Sequence, residues 1–395
     1  LIDGIWTYYY LNGNKESEGY EKQKKNVKPG YDNWSREHGK WLKWYENGKL
    51  CTEFNYKNGE IEGPYKKWYK SGQLEEEGSC SGEYSVNYSI PFGEVTDYFP
   101  FRVGKFSSWY ENGQLREKGT YEQRENIPTP PTTLFSDYEF IPVKKGKWTT
   151  WYEKGNKKSE GNYLGLDEYG KPIQGGKWTW WYENGQTECI GNYDEQVRDG
   201  FSTRHGKWTR WYENGLKKFE GTYKNYQEHG KWTNWDKKGK KVFEGTYKKG
   251  ELNGKSIWWY ENGKRLEENY LEGEKNGEST SYCVNGQILL IEQYKLGVLD
   301  GDWESFFEDG QKWGCGRIKD GIREGVWKLW SKDEELILKV NYNNGKPNQS
   351  LIEPRVFGDG FSKGQNLESC SDSFWGRDNS KLIKSKKSKF NLFSS

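Results

Sequence analysis

A glycine that opens a nearly identical segment recurs twelve times along the chain, and this periodicity limits the available folds more than any other feature. From Gly206 onward the glycines are spaced 24, 24, 23, 24 and 24 residues apart, and insertions lengthen most earlier intervals. One copy reads GKWTRWYENGLKKFEGTYK, beginning at Gly206. A unit this short cannot bury a core alone, so we expect neighbouring copies to cover one another. The opening glycines are Gly4, Gly39, Gly63, Gly104, Gly146, Gly176, Gly206, Gly230, Gly254, Gly277, Gly301 and Gly325.

Within each repeat, a turn signal separates two aromatic-rich segments. Counted from the opening glycine, offset +9 is glycine in eleven repeats, and seven of these are preceded by asparagine. Asn-Gly in this setting predicts a type I′ hairpin turn, with positive φ at both residues. In the Gly206 repeat we expect strands over 208–213 and 216–223. The predicted turn glycines are Gly48, Gly113, Gly185, Gly215 and Gly263.

The predicted hairpin carries aromatic side chains on both faces. Offset +5 is aromatic in all twelve repeats and offset +2 in ten. Trp208 should pair with Gly221, a residue that leaves room for an indole to lie flat on neighbouring backbone. Strand parity places offsets +2, +6, +15 and +17 on one face and +5 on the other, opposite offset +12, for example Lys218, where rings can stack with cations. The predicted structural ladder comprises Trp41, Trp44, Trp148, Trp151, Trp178, Trp181, Trp208, Trp211, Trp232 and Trp235.

These patterns predict an all-β fold, an elongated single-sheet solenoid of β-hairpins about 115 Å long at a strand spacing of about 4.8 Å. Mean hydropathy is −1.17, as low as in many disordered chains, but the 17% aromatic content indicates a folded protein with a Trp, Tyr and Phe core. The formal net charge of +2 gives no general basis for binding nucleic acid or an anionic membrane. Nothing in the sequence suggests a membrane-spanning segment.

Catalytic and metal chemistry find little support in the sequence. The three histidines, His38, His205 and His229, each precede an opening glycine, which indicates a structural role. The six cysteines form no C-x-x-C pair, and Cys80, Cys189 and Cys283 fall where other repeats carry aromatics, so we interpret them as small buried hydrophobes rather than disulfides. We predict no enzyme activity, no catalytic residue, no metal and no cofactor. A recurrent glutamate row at offset +14 is interpreted as solvated and paired with lysines: Glu18, Glu53, Glu77, Glu160, Glu220, Glu244 and Glu268.

The segment GKWTRWYENGLKKFEGTYK, with HGKW following, resembles the MORN repeat-variant family, relatives of the membrane occupation and recognition nexus repeat. The resemblance extends from Gly4 to about Gly345. It implies a scaffold or interaction module, of the kind found in cytoskeletal and ciliary assemblies, at membrane junctions, in large viruses and in bacterial proteins. No part of the chain matches the catalytic domains that some members carry.

Two regions depart from the repeat. We assign residues 1–345 to the array and 346–395 to a basic, non-repeat tail, and the absence of methionine predicts a processed or truncated product. Insertions are predicted to emerge as loops at one edge, over about 21–37, 81–103, 123–145, 164–174 and 194–204. The candidate partner-binding residues are Phe92, Tyr98, Phe99, Phe101, Phe135, Lys384, Lys386, Lys387 and Lys389.

These observations favour a non-enzymatic scaffold whose partners are other proteins of a large assembly, or copies of itself stacked end to end. The alternative is a module that binds glycans or phospholipid headgroups through exposed rows of Trp and Tyr. Nucleic acid is not favoured as a partner, and membrane or glycan contact is the second choice. We expect an intracellular assembly, with a secreted or surface location as the alternative.

Overall fold

The computed structural model describes residues 3–22, 36–90, 93–122, 142–167, 170–195 and 201–348, with backbone alone for Arg36 and residues 83–90 and 93–100. These residues form one sheet of 26 strands and no helix, which confirms the predicted all-β fold. Within the described part of the chain no helix is long and apolar enough to cross a membrane.

The strands follow one another along the chain and are short except at one hairpin. In the first half they are β1 Gly4–Tyr9, β2 Lys15–Lys22, β3 Arg36–Trp44, β4 Leu50–Lys57, β5 Glu60–Trp68, β6 Leu74–Ile90, β7 Gly93–Trp109, β8 Leu115–Tyr121, β9 Lys144–Trp151, β10 Lys157–Leu166, β11 Pro172–Trp181, β12 Thr187–Tyr193 and β13 Arg204–Trp211. In the second half they are β14 Lys217–Lys224, β15 Gln227–Trp235, β16 Lys241–Lys248, β17 Glu251–Trp259, β18 Arg265–Leu271, β19 Glu274–Tyr282, β20 Ile288–Lys295, β21 Val298–Leu299, β22 Gly301–Phe306, β23 Lys312–Lys319, β24 Ile322–Trp330, β25 Leu336–Asn343 and β26 Lys346–Asn348.

Every pairing in the sheet is antiparallel and joins neighbours in sequence, so the chain is a long meander. The one variation is β20, which pairs with β21 and then with β22. In the hairpin of β13 and β14, Trp208 pairs with Gly221, as predicted. In the three hairpins that open at Gly277, Gly301 and Gly325, the residue at offset +2 likewise pairs with the residue at offset +15.

The turn inside each hairpin differs from the predicted type I′ turn. The amide of Gly215 donates to the carbonyl of Tyr212 at 2.9 Å, and the amide of Tyr212 donates to the carbonyl of Leu216 at 2.8 Å. Gly215 has φ +81°, whereas Asn214 is not among the described residues with positive φ. This is a three-residue loop, a type I turn followed by a left-handed glycine. The five predicted turn glycines share it, with φ between +80° and +86°.

Type I′ turns occur between the repeats instead. Lys249 and Gly250 connect β16 to β17 with φ of +54° and +81°, and Lys248 pairs with Glu251 across them. Asn58 and Gly59 connect β4 to β5 in the same way. The sheet therefore has two kinds of edge, a hairpin edge formed by the Asn-Gly loops and a connector edge formed by the inter-repeat turns.

A bulge near every hairpin turn except that of β17 and β18 changes which residues face one another. Arg210 pairs with Phe219 and Trp211 with Lys217, so Lys218 has no direct partner across the hairpin. The prediction that offset +12 lies opposite offset +5 was therefore wrong. Lys218 instead places its ammonium 5.6 Å from the ring centroid of Tyr212, which lies in the loop rather than in the strand.

The insertion predicted as a loop over 81–103 is largely strand. β6 and β7 extend to 17 residues each and pair with one another from Glu83 with Pro100 to Ile90 with Gly93. β7 is rich in Val, Phe, Tyr and Thr, and β6 contributes Tyr84, Val86 and Tyr88; such residues favour extended backbone. Most of residues 21–37 and 123–145 lie outside the described residues.

The core is a ladder of rings along one face of the sheet. Tyr223 packs edge-on against Trp232 with centroids 5.0 Å apart, and Tyr193 packs in the same way against Trp208 at 5.3 Å. The exposed fraction of Trp148 is 1% and that of Trp208 is 3%. A buried aromatic ring of this kind contributes about 4–6 kcal/mol before entropic costs. The ladder therefore replaces the aliphatic core that this polar chain lacks.

Candidate interaction surface

Consecutive repeats interlock through an indole that lies on a glycine of the preceding hairpin. A Cβ atom added to Gly221 would come within 3.0 Å of Trp232, and one added to Gly191 would do so with Trp208. The sequence placed Gly221 opposite Trp208, which is correct for pairing, but the ring that covers this glycine belongs to the next repeat. The same contact joins Gly19 to Trp41, Gly119 to Trp148, Gly161 to Trp178 and Gly316 to Trp327.

The opening glycine of the next repeat makes this contact possible. Glu220 pairs with Thr233 and Thr222 pairs with His229, so three residues of β15 face the single residue Gly221 on β14. Gly230, the first of these three, has φ +69°, which glycine adopts without strain. The extra backbone re-aims Trp232 across the neighbouring strand. The repeated glycines thus have a conformational role that the sequence pattern alone did not reveal.

Polar groups join the same junctions, one near the connector edge and others along the hairpin edge. The indole Nε1 of Trp232 donates to the carbonyl of Thr222 at 3.2 Å. The hydroxyl of Tyr212 donates to the carbonyl of Trp235 at 2.9 Å, and the side-chain amide of Asn214 donates to the carbonyl of Lys237 at 2.8 Å. Equivalent tyrosine contacts occur at Tyr10, Tyr45, Tyr69, Tyr110, Tyr152 and Tyr182. Because each junction has several directional bonds, we expect the array to be stiff.

Cations two residues before the opening glycine cover the ladder, a feature that sequence reasoning missed. The ammonium of Lys144 lies 4.1 Å from the ring centroid of Trp148, and the guanidinium of Arg204 lies 4.9 Å from that of Trp208. The sequence did contain a signal for these cations, because offset −2 has the same strand parity as offset +2. Side chains at the two offsets therefore lie on the same face of the sheet. Arg102 also pairs with buried Glu76 at 2.9 Å. Burial alone would lower the pKa of Arg102, but the Glu76 carboxylate and Tyr65 raise it above its usual value.

The opposite face carries rungs of lysine and glutamate. Glu160 pairs with Lys157 at 2.8 Å and with Lys147 at 3.1 Å. The hydrogen bond from Lys157 is the main cause that lowers the pKa of Glu160 to about 2. Six of the seven predicted glutamates pair with lysines in this way, as expected: Glu18, Glu53, Glu77, Glu160, Glu220 and Glu244.

Glu268 is the exception, and its predicted place on the solvated row was wrong. The hairpin of β17 and β18 lacks the bulge, so Trp258 pairs with Leu266 and the following residues are shifted by one. A one-residue shift moves side chains to the other face. Glu267 therefore pairs with Lys255 at 2.7 Å, whereas Glu268 is buried and pairs with Lys275.

The glutamate row shares its face with a second row of rings at offset +5. These tryptophans are half-buried, among them Trp44, Trp151, Trp181, Trp211 and Trp235. A lysine from the preceding repeat covers several of them. Lys217, for example, places its ammonium 5.6 Å from the ring centroid of Trp235. Predicted stacking with cations therefore occurs, but with offset +11 of the preceding repeat.

The candidate partner-binding residues are only partly described. Phe101 is 1% exposed, so it belongs to the folded core and is not available for docking. Tyr98 and Phe99 lie in β7 where the backbone alone is described. The remaining candidates lie outside the described residues: Phe92, Phe135, Lys384, Lys386, Lys387 and Lys389.

Reactive and metal-binding groups are sparse in the described ranges. Five cysteines are described there, all as free thiols, with Cys80 and Cys283 buried. Burial raises the pKa of the Cys189 thiol to about 11, which disfavours the reactive thiolate. Across residues 3–348, apart from the gaps given above, no group of three or more His, Cys, Asp or Glu side chains is placed to hold a metal ion.

The fold and its junctions define a β-hairpin repeat protein in which rings and glycines of successive units interlock. The family model of the MORN repeat variant matches nine segments, and the chain therefore belongs to that family. The matched residues are 2–20, 37–58, 61–79, 102–123, 144–164, 174–195, 204–225, 228–249 and 252–271. Repeats of this family are generally modules for interaction with proteins or membranes.

Comparison with individual proteins adds little. No curated protein matches the chain. A solved TcdB2–TccC3–Cdc42 complex is 10% identical with a TM-score of 0.17, over 86% of this chain and 16% of that one. A TcdB2–TccC3 structure is 11% identical (TM-score 0.12), and a Tc holotoxin pore of Photorhabdus luminescens with mutated TccC3 is 10% identical (TM-score 0.13), each over 86% of this chain and 18% of its own. The chain thus spans less than a fifth of those chains, and the TM-scores carry no argument.

Proposed function

We propose that the protein is a non-enzymatic scaffold that holds other proteins of a larger assembly. The observation that carries this proposal is the extension of β6 and β7 beyond their neighbours. The last pair between β5 and β6 is Glu62 with Ser81, and β7 pairs with β8 only from Gly104 onward. Residues 83–90 and 93–100, here named the β6–β7 arm, therefore project from the connector edge by about 26 Å at 3.3 Å per residue. A projecting arm on a stiff array is suited to partner contacts.

The repetition of the charged groups supports the absence of catalysis. Glutamates on the exposed face recur in equivalent rungs with lysines, whereas a catalytic acid and base need distinct environments. Glu292 is the described carboxylate whose pKa is raised, mainly by burial, and its hydrogen-bond partner is Tyr294 on the same strand. A screen for turnover that finds a reaction abolished by Glu292→Gln would contradict this part of the proposal.

The scaffold proposal is tested by removing the arm. Residues 83–100 are replaced by Asn-Gly, the connector found at residues 58 and 59, and the matched control replaces the Tyr226 of another connector by glycine. Crosslinking mass spectrometry in a native extract then compares both variants with the unmodified chain. We expect the arm deletion, but not the control, to lose specific protein crosslinks. Equal crosslinking by all three chains would contradict the role of the arm.

A more specific version of the scaffold proposal is that copies of this chain associate with one another end to end. In the described residues β1 pairs on one side only, with β2, and Ile5 and Tyr9 of this edge are 76% and 59% exposed. Strands with an open edge can pair with other strands. Light scattering over a concentration series should show assemblies that Ile5→Lys abolishes. Monomers at every concentration would exclude end-to-end stacking.

Binding of glycans or phospholipid headgroups through Trp and Tyr rows has less support. Trp41, Trp148 and Trp178 are at most 6% exposed. Lysines lie over several of the half-buried rings of the other row. Retention of the chain on a glycan array or on anionic vesicles at moderate salt would favour this alternative over the scaffold.

A further inference from the structure

The row of Lys–Glu rungs is interrupted in the repeat that opens at Gly104. Lys118 occupies offset +14, where glutamate is usual, and pairs with Ser107 on β7 and Thr149 on β9. Lys105 occupies offset +1, whose lysine pairs with the glutamate in other repeats. Neither lysine side chain forms an ion pair or hydrogen bond with any residue that the structure describes. Two exposed ammonium groups therefore lie on this face without a counter-charge.

The two lysines line a groove of about 400 Å³. Its other lining residues include Tyr65 and Phe106, which are at most 3% exposed, and the hydroxyl-bearing residues Ser79 and Ser107. Two glutamates also reach the groove, but both already have partners. Glu53 pairs with Lys40 at 2.7 Å and Glu77 pairs with Lys66 at 3.9 Å. The groove therefore combines a local excess of positive charge with hydroxyl groups that can donate hydrogen bonds.

An intact rung shows which chemical group the interrupted one lacks. In the Gly146 repeat, the Glu160 carboxylate pairs with Lys147 at offset +1 and accepts a hydrogen bond from Thr149 at offset +3. The Gly104 repeat retains the lysine and a hydroxyl at these two offsets, as Lys105 and Ser107, but has no carboxylate. We propose that the groove binds an acidic side chain of a partner protein, which completes the rung from outside. This inference rests on the proposed scaffold function and names one of its contacts.

Zero-length crosslinking tests the site directly. The full chain is incubated with a hexaglutamate peptide and a carbodiimide, which joins carboxylates to lysine amines only where they touch, and the products are mapped by mass spectrometry. We expect peptide adducts on Lys105 and Lys118 well above those on Lys207 and Lys231, whose ammoniums are already paired with glutamates. Adducts spread evenly over the exposed lysines would overturn the proposal.

Charge variants provide the second measurement. Lys118→Glu restores the usual rung, so the fold should be retained while peptide affinity falls about tenfold, since an attraction is replaced by a repulsion. Lys118→Gln should show a smaller loss. Lys224→Glu, an equal charge change on β14, is the matched control and should leave affinity unchanged. Equal losses for Lys118→Glu and Lys224→Glu would overturn the site.

Displacement of the peptide by small anions identifies the chemical group that the groove binds. Comparison with the arm crosslinks shows whether this inference or the scaffold proposal is wrong. If inorganic phosphate displaces the peptide at concentrations below those of acetate, the groove is a phosphate site and the carboxylate assignment is wrong. If the β6–β7 arm retains its protein crosslinks while Lys118→Glu leaves peptide binding unchanged, this inference alone fails. If deleting the arm leaves the protein crosslinks unchanged while peptide binding still depends on Lys118, the proposed role of the arm fails and the groove assignment stands.

Discussion

Gly221→Ala tests whether repeats interlock through contact between a glycine and an indole, because it adds a single methyl group at that contact. The added methyl group would lie under 3.0 Å from the indole of Trp232, and the backbone of Gly221 has no positive φ, so the steric contact alone is changed. To restore ordinary van der Waals separation, 3.4 Å or more, the indole must recede by about 1 Å. Because it also bonds the Thr222 carbonyl and packs against Tyr223, this movement has several costs.

Typical magnitudes give the size of the effect. Overpacking a dense site costs about 1–3 kcal/mol, a lost hydrogen bond about 1 kcal/mol and a lost edge-on ring contact about 0.5–1.5 kcal/mol. We therefore expect a destabilisation of about 4 kcal/mol. Repeat arrays do not unfold in two states, so the appropriate assay is local hydrogen exchange measured by mass spectrometry. Peptides of β14 and β15 should exchange about a thousandfold faster than in the unmodified protein.

Two comparisons make this prediction refutable. Gly4→Ala is the matched control, because a Cβ at Gly4 has no neighbour within 4 Å and Gly4 has no positive φ. Trp232→Phe combined with Gly221→Ala should cost less than the two changes separately. The Gly78 site shows why: the facing ring there is Phe106, and a Cβ added to Gly78 would lie 3.4 Å from that ring. If Gly221→Ala and Gly4→Ala both change stability by less than about 0.5 kcal/mol, the reasoning is wrong.

Three further predictions concern polar contacts. The pKa of Glu160 is lowered from 4.5 to about 2, so its rung stabilises the fold above about pH 4.5 and loses this effect as pH falls toward 2. Glu160→Gln should therefore lower the melting temperature at pH 7, and the difference between variant and unmodified protein should disappear in acid. Arg102→Ala leaves buried Glu76 without its cation and should cost about 3–5 kcal/mol, against at most about 1 kcal/mol for Lys231→Ala in an exposed rung, as measured by local hydrogen exchange. Tyr212→Phe removes the bond to the Trp235 carbonyl and should speed exchange at that loop by about fivefold, whereas Tyr226→Phe should not.

The pairing within each hairpin could be predicted because it follows from a short spacing. Trp208 lies five residues before the three-residue loop and Gly221 six residues after it, and the bulge at Lys218 takes up the extra residue. The predicted two-residue turn gave the same partnership because it omitted both the third loop residue and the bulge. The glutamate rungs follow from the same parity. Where the bulge is missing, as beside Glu268, the counting fails because this repeat is one residue shorter. The sequence marks the deletion with the 23-residue interval from Gly254 to Gly277 and with Tyr270 at offset +16, where other repeats carry tyrosine at +17.

Contacts between repeats could not be predicted in this way. Gly221 has a strand on each side, and both neighbouring tryptophans, Trp208 and Trp232, satisfy the periodic pattern. Which ring covers the glycine depends on the three residues of β15 that face it and on the positive φ of Gly230. The unpaired Lys118 was visible in the sequence as a departure from the glutamate row, but its environment required the groove to be seen.

The central claim is that each indole lies on the glycine of the preceding hairpin, and nuclear magnetic resonance of glycine-labelled protein tests it most directly. The ring current of an indole shifts protons under its face upfield, and Gly4 serves as the uncovered reference. The account predicts strongly shifted Hα signals for Gly119, Gly161, Gly191 and Gly221, with a cross-peak from Gly221 to the Trp232 ring. Hα signals that coincide with that of Gly4, or a ring cross-peak to Trp208 instead, would contradict it.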